Sequence, residues 1–125
     1  MTPMEMFDRA TVAAPAFGAL VNEHYRDYGE LLAHVLMADL LRFVGSHFTG
    51  NALPEAPPPT TREVNEILMM LDSAIATGNP DTENVIAVSF IENIEVEPFF
   101  EKLSPLLGAN LRGELEKQKS WWRAR

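Results

Sequence analysis

Residues 79–94 read Asn-Pro-Asp-Thr-Glu-Asn-Val-Ile-Ala-Val-Ser-Phe-Ile-Glu-Asn-Ile, and the fold class turns on them. The run Val85-Ile86-Ala87-Val88-Ser89-Phe90-Ile91 is rich in β-branched residues, which favour a strand. Its flank argues for a helix. Asn79 is a good cap, Pro80 suits the first helical position, and Asp81 suits the positive end of a helix. A strand here would also have nothing to pair with elsewhere in the chain. The segment is therefore read as a helix, and a run this apolar implies burial on most sides. Ser89, Glu92 and Asn93 are its only polar interruption, at i, i+3 and i+4.

Upstream, Thr60 to Thr77 is an amphipathic helix. Thr60 and Glu63 have capping-box spacing, and Val64, Ile67, Leu68, Leu71 and Ile75 recur at helical intervals. Gly78 is well placed to end it. Pro54, Pro57, Pro58 and Pro59 exclude a helix from 49–59, which is read as a loop within one domain. Glu30 to Phe48 is the most apolar helix before that loop. Leu31, Leu32, Val35, Leu36, Leu40, Phe43 and Val44 cover more than one face, while Glu30, His34, Arg42 and Ser46 form a polar ridge. Gly45 weakens this helix and Gly50 ends it. A short helix over Met4 to Val12 and a segment opened by Pro15 and closed by Gly29 precede it. Downstream, Pro98 and Pro105 each start a helical piece. Phe99, Phe100 and Leu103 face inward from the first; Leu106, Leu107, Leu111 and Leu115 do so from the second, which runs through Trp121-Trp122. The expected fold is all-α: one domain over residues 1–125, a bundle of five or six helices. The helices over Glu30–Phe48 and Asn79–Ile94 are expected at its centre.

The chain length supports this. Its 125 residues and 14.0 kDa suffice for one core, with folding removing about 13,000 Å² from water. The apolar fraction of 46% and charged fraction of 22% suit a globular chain. There is no Cys, which excludes disulfides, thiol catalysis and Cys-bearing zinc sites. The first residues carry acids where a signal peptide needs bases. The longest apolar-rich run, Val12 to Val21, is interrupted by Pro15 and Gly18 and falls well short of the roughly 20 residues of a membrane span. The expectation is a cytoplasmic protein with no membrane partner.

Charge is unevenly distributed along the chain. The net charge is −8; residues 112–125 carry five bases against two acids, while residues 1–111 carry sixteen acids against five bases. The stretch from Asp81 to Glu101 holds six acids and no base. Such a body repels phosphate backbones, so a nucleic-acid partner is not expected. It suits a basic protein partner, whose capture it would accelerate by electrostatic steering. A solubilising surface is the commoner explanation of such acidity. The residues proposed to meet a partner are Asp81, Glu83, Ser89, Glu92, Asn93, Glu95 and Glu97. For Ser89, Glu92 and Asn93 the alternative is a solvated edge, or buried hydrogen bonds to a neighbouring helix.

Signals for chemistry are sparse. Glu30 and His34 stand i, i+4 apart and could share a metal with His24 and Asp39, but no HExxH or ExxH pair occurs. The plainer reading is a helix-surface pair. Ser46 and His47 are adjacent and cannot face each other, and Ser89 has no His nearby in sequence. GxSxG, P-loop and GxGxxG motifs are absent. No catalytic residue, metal or cofactor is expected, and the chain is read as a non-enzyme. Trp121 and Trp122 sit in a basic tail with Lys117, Lys119, Arg123 and Arg125. One is expected to pack on the core and the other to be exposed, where Trp favours contacts. The tail also has the charge to lie against the chain's own acids.

The run EVNEILMMLDSAIATGNPDTENVIAVSFIENI (63–94), followed by LSPLLGANLRGELEKQKSWW (103–122), resembles an uncharacterised family of small acidic helical bacterial proteins. Met37-Ala38-Asp39-Leu40 matches its upstream helix. Members look like immunity proteins, encoded beside a toxin that they neutralise, and no catalytic residues carry over. The resemblance implies an inhibitor that binds and occludes a basic toxin domain, possibly a nuclease. A non-catalytic helical adaptor or oligomerisation module is the alternative, and the sequence does not fix the oligomeric state.

Overall fold

The computed structural model describes residues 1–123, and every regular element among them is helical. Seven α-helices follow one another: α1 (Pro3–Ala13), α2 (Gly18–Tyr28), α3 (Ala33–Thr49), α4 (Thr61–Ala76), α5 (80–94), α6 (Phe100–Leu103) and α7 (Ala109–Arg123). Helix α5 is continuous but not uniform: Pro80–Ile86 is α-helical, Ala87–Ile91 is π-helical, and Glu92–Ile94 closes it. The all-α expectation holds. The count of five or six helices is corrected to seven among the described residues. Pro98, Pro105 and Gly108 cut the chain after α5 so closely that the four-residue α6 stands apart, joined to α7 through a 3₁₀ turn at Ser104–Leu106.

One contiguous core joins the helices. Phe17, Phe43 and Phe90 are fully buried in it with Met6, Leu36, Met37, Leu40, Ile67, Leu71 and Ile86. α3 packs against the π-helical segment of α5, and α4 packs against α1, α5 and α7. The surface of 6754 Å² is close to the roughly 6,700 Å² of a compact monomer of this mass. Two residues expected inside are not: Leu106 is 41% and Val35 38% exposed. Leu106 belongs to the 3₁₀ turn rather than to α7, so it leaves the stripe of Leu107, Leu111 and Leu115.

Where capping residues are local, the helices begin as their sequences dictate. Thr60 and Glu63 form the reciprocal capping box of α4. Asn79 Oδ1 accepts from the backbone N–H groups of Asp81 and Thr82 at 3.0 and 3.1 Å, opening α5 over Pro80.

Two helices start later than expected. α3 begins at Ala33, not Glu30. Gly29 ends α2 in the left-handed region (φ 72°), and Leu32 stays outside the helix with its N–H donated to His24 Nε2 at 2.9 Å. Glu30 therefore shares no helix face with His34. α7 begins at Ala109, not Pro105. Asp72 of α4 reaches across to its first turn, where Oδ1 accepts from the N–H groups of Asn110 and Leu111, each at 2.9 Å.

Candidate functional site

The proposed partner-binding residues follow the course of α5. At its start, burial of Thr82, Val85 and Ile86 turns Asp81, Glu83 and Asn84 outward. Both carboxylates complement the helix's positive end. At its far end, burial of Ile91 and Ile94 turns Glu92, Asn93 and Glu95 outward. Glu97 is half-buried in the following turn. The carboxylates thus form two groups at opposite ends of one helix rather than a single cluster.

Ser89 does not belong to this exposed edge. Its side chain is buried and hydrogen-bonded, Oγ to His34 Nδ1, at 2.8 Å. Asn84 Nδ2 lies 3.5 Å from His34 Nε2. The structure thus brings together a serine and a histidine 55 residues apart in sequence. Both imidazole nitrogens thus have a neighbour on α5, and which of them carries the proton depends on the tautomer. The contact ties the π-helical segment to the start of α3. The Ala87 carbonyl on the same segment accepts from Gln118 Nε2 at 3.0 Å, which ties it to α7 as well. Segments of π-helix mark functional sites often enough to make this stretch of α5 a place to look.

The ion pairs separate the acids into two kinds. Asp27, Asp39 and Glu66 pair with Arg26, Arg42 and Arg62 of their own chain. Glu95 pairs with Lys119 at 3.5 Å, and among the described residues this is where the basic tail meets the acidic stretch in an ion pair. Asp81, Glu83, Glu92 and Glu97 make no ion pair with a described residue.

A groove runs between α5 and α7 beside these groups. Ala87, Val88, Glu92, Glu114, Lys117, Gln118 and Trp121 line a hollow of about 420 Å³. Glu92 and Gln118 are shared with a neighbouring hollow of about 500 Å³, which extends past Glu95 and Val96. Val88 (42% exposed), Val96 (82%) and Trp121 (52%) give the groove exposed apolar surface. Val88 and Val96 were absent from the expected contact residues, and the pair Trp121-Trp122 was expected to expose one member without fixing which. A signal for Trp121 was present: Leu111, Leu115 and Gln118 mark the inward line of α7, and Trp122 rather than Trp121 continues its spacing. The side chains of Trp122 and Arg123, and residue Arg125, lie outside the described residues.

The three histidines occupy separate places. His24 accepts from Leu32, His34 meets Ser89, and His47 Nδ1 is hydrogen-bonded to the Pro59 carbonyl at 2.8 Å. Among the described residues, no three His, Asp or Glu side chains are grouped to hold a metal ion, and no helix is long and apolar enough to cross a membrane.

Fold and surface together define an all-helical chain with one core and an acidic, partly apolar groove. Residues 7–123 match the family described as a domain of unknown function, DUF7674, and the chain belongs to that family. The match extends upstream of Met37-Ala38-Asp39-Leu40, the first segment of the resemblance read from the sequence. Comparison with curated proteins and with solved structures finds no match.

Proposed function

We propose that this chain is a stoichiometric protein-binding module: an immunity-type inhibitor, acting in the bacterial cytoplasm, that binds and occludes a basic toxin domain. The observation that carries this reading is the exposed edge of α5. There Glu92 has no ion-pair partner among the described residues and lies between the exposed apolar side chains of Val88, Val96 and Trp121. Free carboxylates beside exposed apolar anchors match the composition of an interface that meets cationic side chains. A nuclease is the toxin class that fits best, since its phosphate-binding Lys and Arg are what such carboxylates would cover. Inhibition would proceed by occlusion, and the chain itself would supply no chemistry, cofactor or metal.

The test is association with the product of an adjacent toxin gene, followed by calorimetry at low and high salt. The expected result is a one-to-one complex that weakens as salt rises and protects cells from the toxin. Charge reversal at Glu92 and Glu97 should weaken it about tenfold or more, a loss of about 1.4 kcal/mol. Failure to bind or protect against any such product removes the reading.

A second reading, a helical adaptor or oligomerisation module, draws on a different surface. Val12 and Met69 are 81% and 69% exposed and line a hollow of about 350 Å³ between α1 and α4. Self-association through this face would appear in gel filtration and would survive charge reversal at Glu92, Glu95 and Glu97.

A further inference from the structure

The face made by α1 and α4 differs in charge from the α5 edge. Arg9 is the one basic side chain lining its hollow and Glu66 the one acidic side chain; apart from Ser73 the rest of the lining is apolar, with Val12 and Met69 exposed. Charge is therefore balanced there, in a chain whose net charge is −8. Arg26, Arg42, Arg62, Lys117 and Lys119 each pair with a carboxylate of the chain. The Arg9 guanidinium has neither a hydrogen bond nor an ion pair with a described residue, although it shares the hollow with Glu66. Glu66 Oε1 accepts from Arg62 Nε at 3.0 Å, and its Oε2 has no hydrogen-bond donor among the described residues.

An unanswered guanidinium beside exposed apolar side chains suits an anionic protein surface. This chain carries both halves of that recognition on one face. A twofold axis normal to the face, passing between Arg9 and Glu66, exchanges their positions, so that Arg9 of each copy lies over Glu66 of the other. That meets the condition for an isologous contact, in which i touches j and j touches i. On the α5 edge, by contrast, two copies would meet acid to acid, because residues 81–101 hold six acids and no base. In the α1–α4 contact, Val12 and Met69 of both copies leave water together. The unbranched side chains of Met69 and Met70 adapt to fill the two facing hollows, each of about 350 Å³.

We propose that the chain forms a twofold-symmetric homodimer through α1 and α4, held by two reciprocal Arg9–Glu66 ion pairs around Val12 and Met69. This rests on the reading of that face as a self-association surface and supplies its partner and its pairing. The face shares no lining residue with the α5 groove.

The test is sedimentation equilibrium of the full chain at roughly 0.15 M salt. The parent should show a monomer–dimer equilibrium. Arg9→Glu and Glu66→Arg should each weaken it at least about tenfold, since each sets like charges face to face at both ends of the contact. Mixed in equal amounts, the two variants should form a heterodimer about as tight as the parent dimer, because both ion pairs between unlike copies are again of opposite sign. Circular dichroism should match the parent throughout, as both side chains lie on the surface. A parent that stays monomeric at every concentration overturns the proposal and the self-association reading together. A dimer that either single variant leaves unchanged overturns the reciprocal pairing and leaves self-association to another contact. A mixture that associates no better than its components overturns the pairing in the same way.

Discussion

A Cβ built on Gly45 would lie 2.2 Å from the ring of Phe99. Glycine inside α3 lets that ring reach the helix backbone, where it stacks on Phe48 with centroids 6.2 Å apart and planes at 14°. Propensity alone ranks Gly45→Ala as stabilising by about 1 kcal/mol. The packing reverses the sign: overfilling a tight core contact costs about 1–3 kcal/mol. Gly45→Ala should therefore lower the urea midpoint with little change in slope, and a higher midpoint would contradict the packing argument. In the sequence, Gly45 reads only as a weakness of its helix. The close approach comes from a residue 54 positions later, and no local pattern announces it. Ser89 is similar. Its place in an apolar run was legible, but its partner His34 was not, since the two meet only when α3 and α5 pack. Ser89→Ala should cost about 0.5–1.5 kcal/mol, the usual value of one such bond, in equilibrium unfolding. A neutral outcome would mean that the contact does not hold the π-helical turn in place.

At the scale of helices, legibility follows the distance to the cap. The starts of α4 and α5 could be read because Thr60, Glu63 and Asn79 cap their own helices within three residues. The starts of α3 and α7 could not. The N–H of Leu32 is met by His24, eight residues back, and the first N–H groups of α7 by Asp72, thirty-eight and thirty-nine residues back. Gly108 belongs to the same arrangement, because a Cβ there would lie 2.5 Å from the Asp72 carboxyl carbon. A carboxylate accepting two backbone N–H groups at a helix start combines a cap with a favourable dipole interaction. Asp72→Ala should therefore destabilise the protein by about 1–2 kcal/mol. In hydrogen exchange the loss should concentrate in the first turn of α7, with α4 amides far less affected. Uniform loss of protection would instead indicate a role for Asp72 in global packing.

For the molecule as a whole, helical spacing placed Asp81, Glu83, Glu92, Asn93 and Glu95 on the outside of α5, because the apolar residues between them had to face the core. It could not separate carboxylates engaged within the chain from those left over, since that depends on where α7 lies. Glu95 is answered by Lys119, whereas Glu92 has no ion-pair partner among the described residues. Glu92 also sits in the last turn of α5, where the helix dipole disfavours negative charge by about 0.3–1 kcal/mol at low salt. A carboxylate placed against the local electrostatics and next to the exposed Val88 and Trp121 is better explained by a partner than by folding. This argument gives opposite signs for two measurements on one variant. Glu92→Lys should raise the melting temperature of the isolated protein slightly, by relieving the dipole conflict. The same variant should weaken a complex with a basic partner about tenfold or more, and its affinity should depend less steeply on salt. Glu95→Gln, whose carboxylate already has an internal partner, should change affinity far less. If Glu92→Lys melts lower and binds as the parent does, Glu92 serves the fold, and the α5 edge is not where a partner docks.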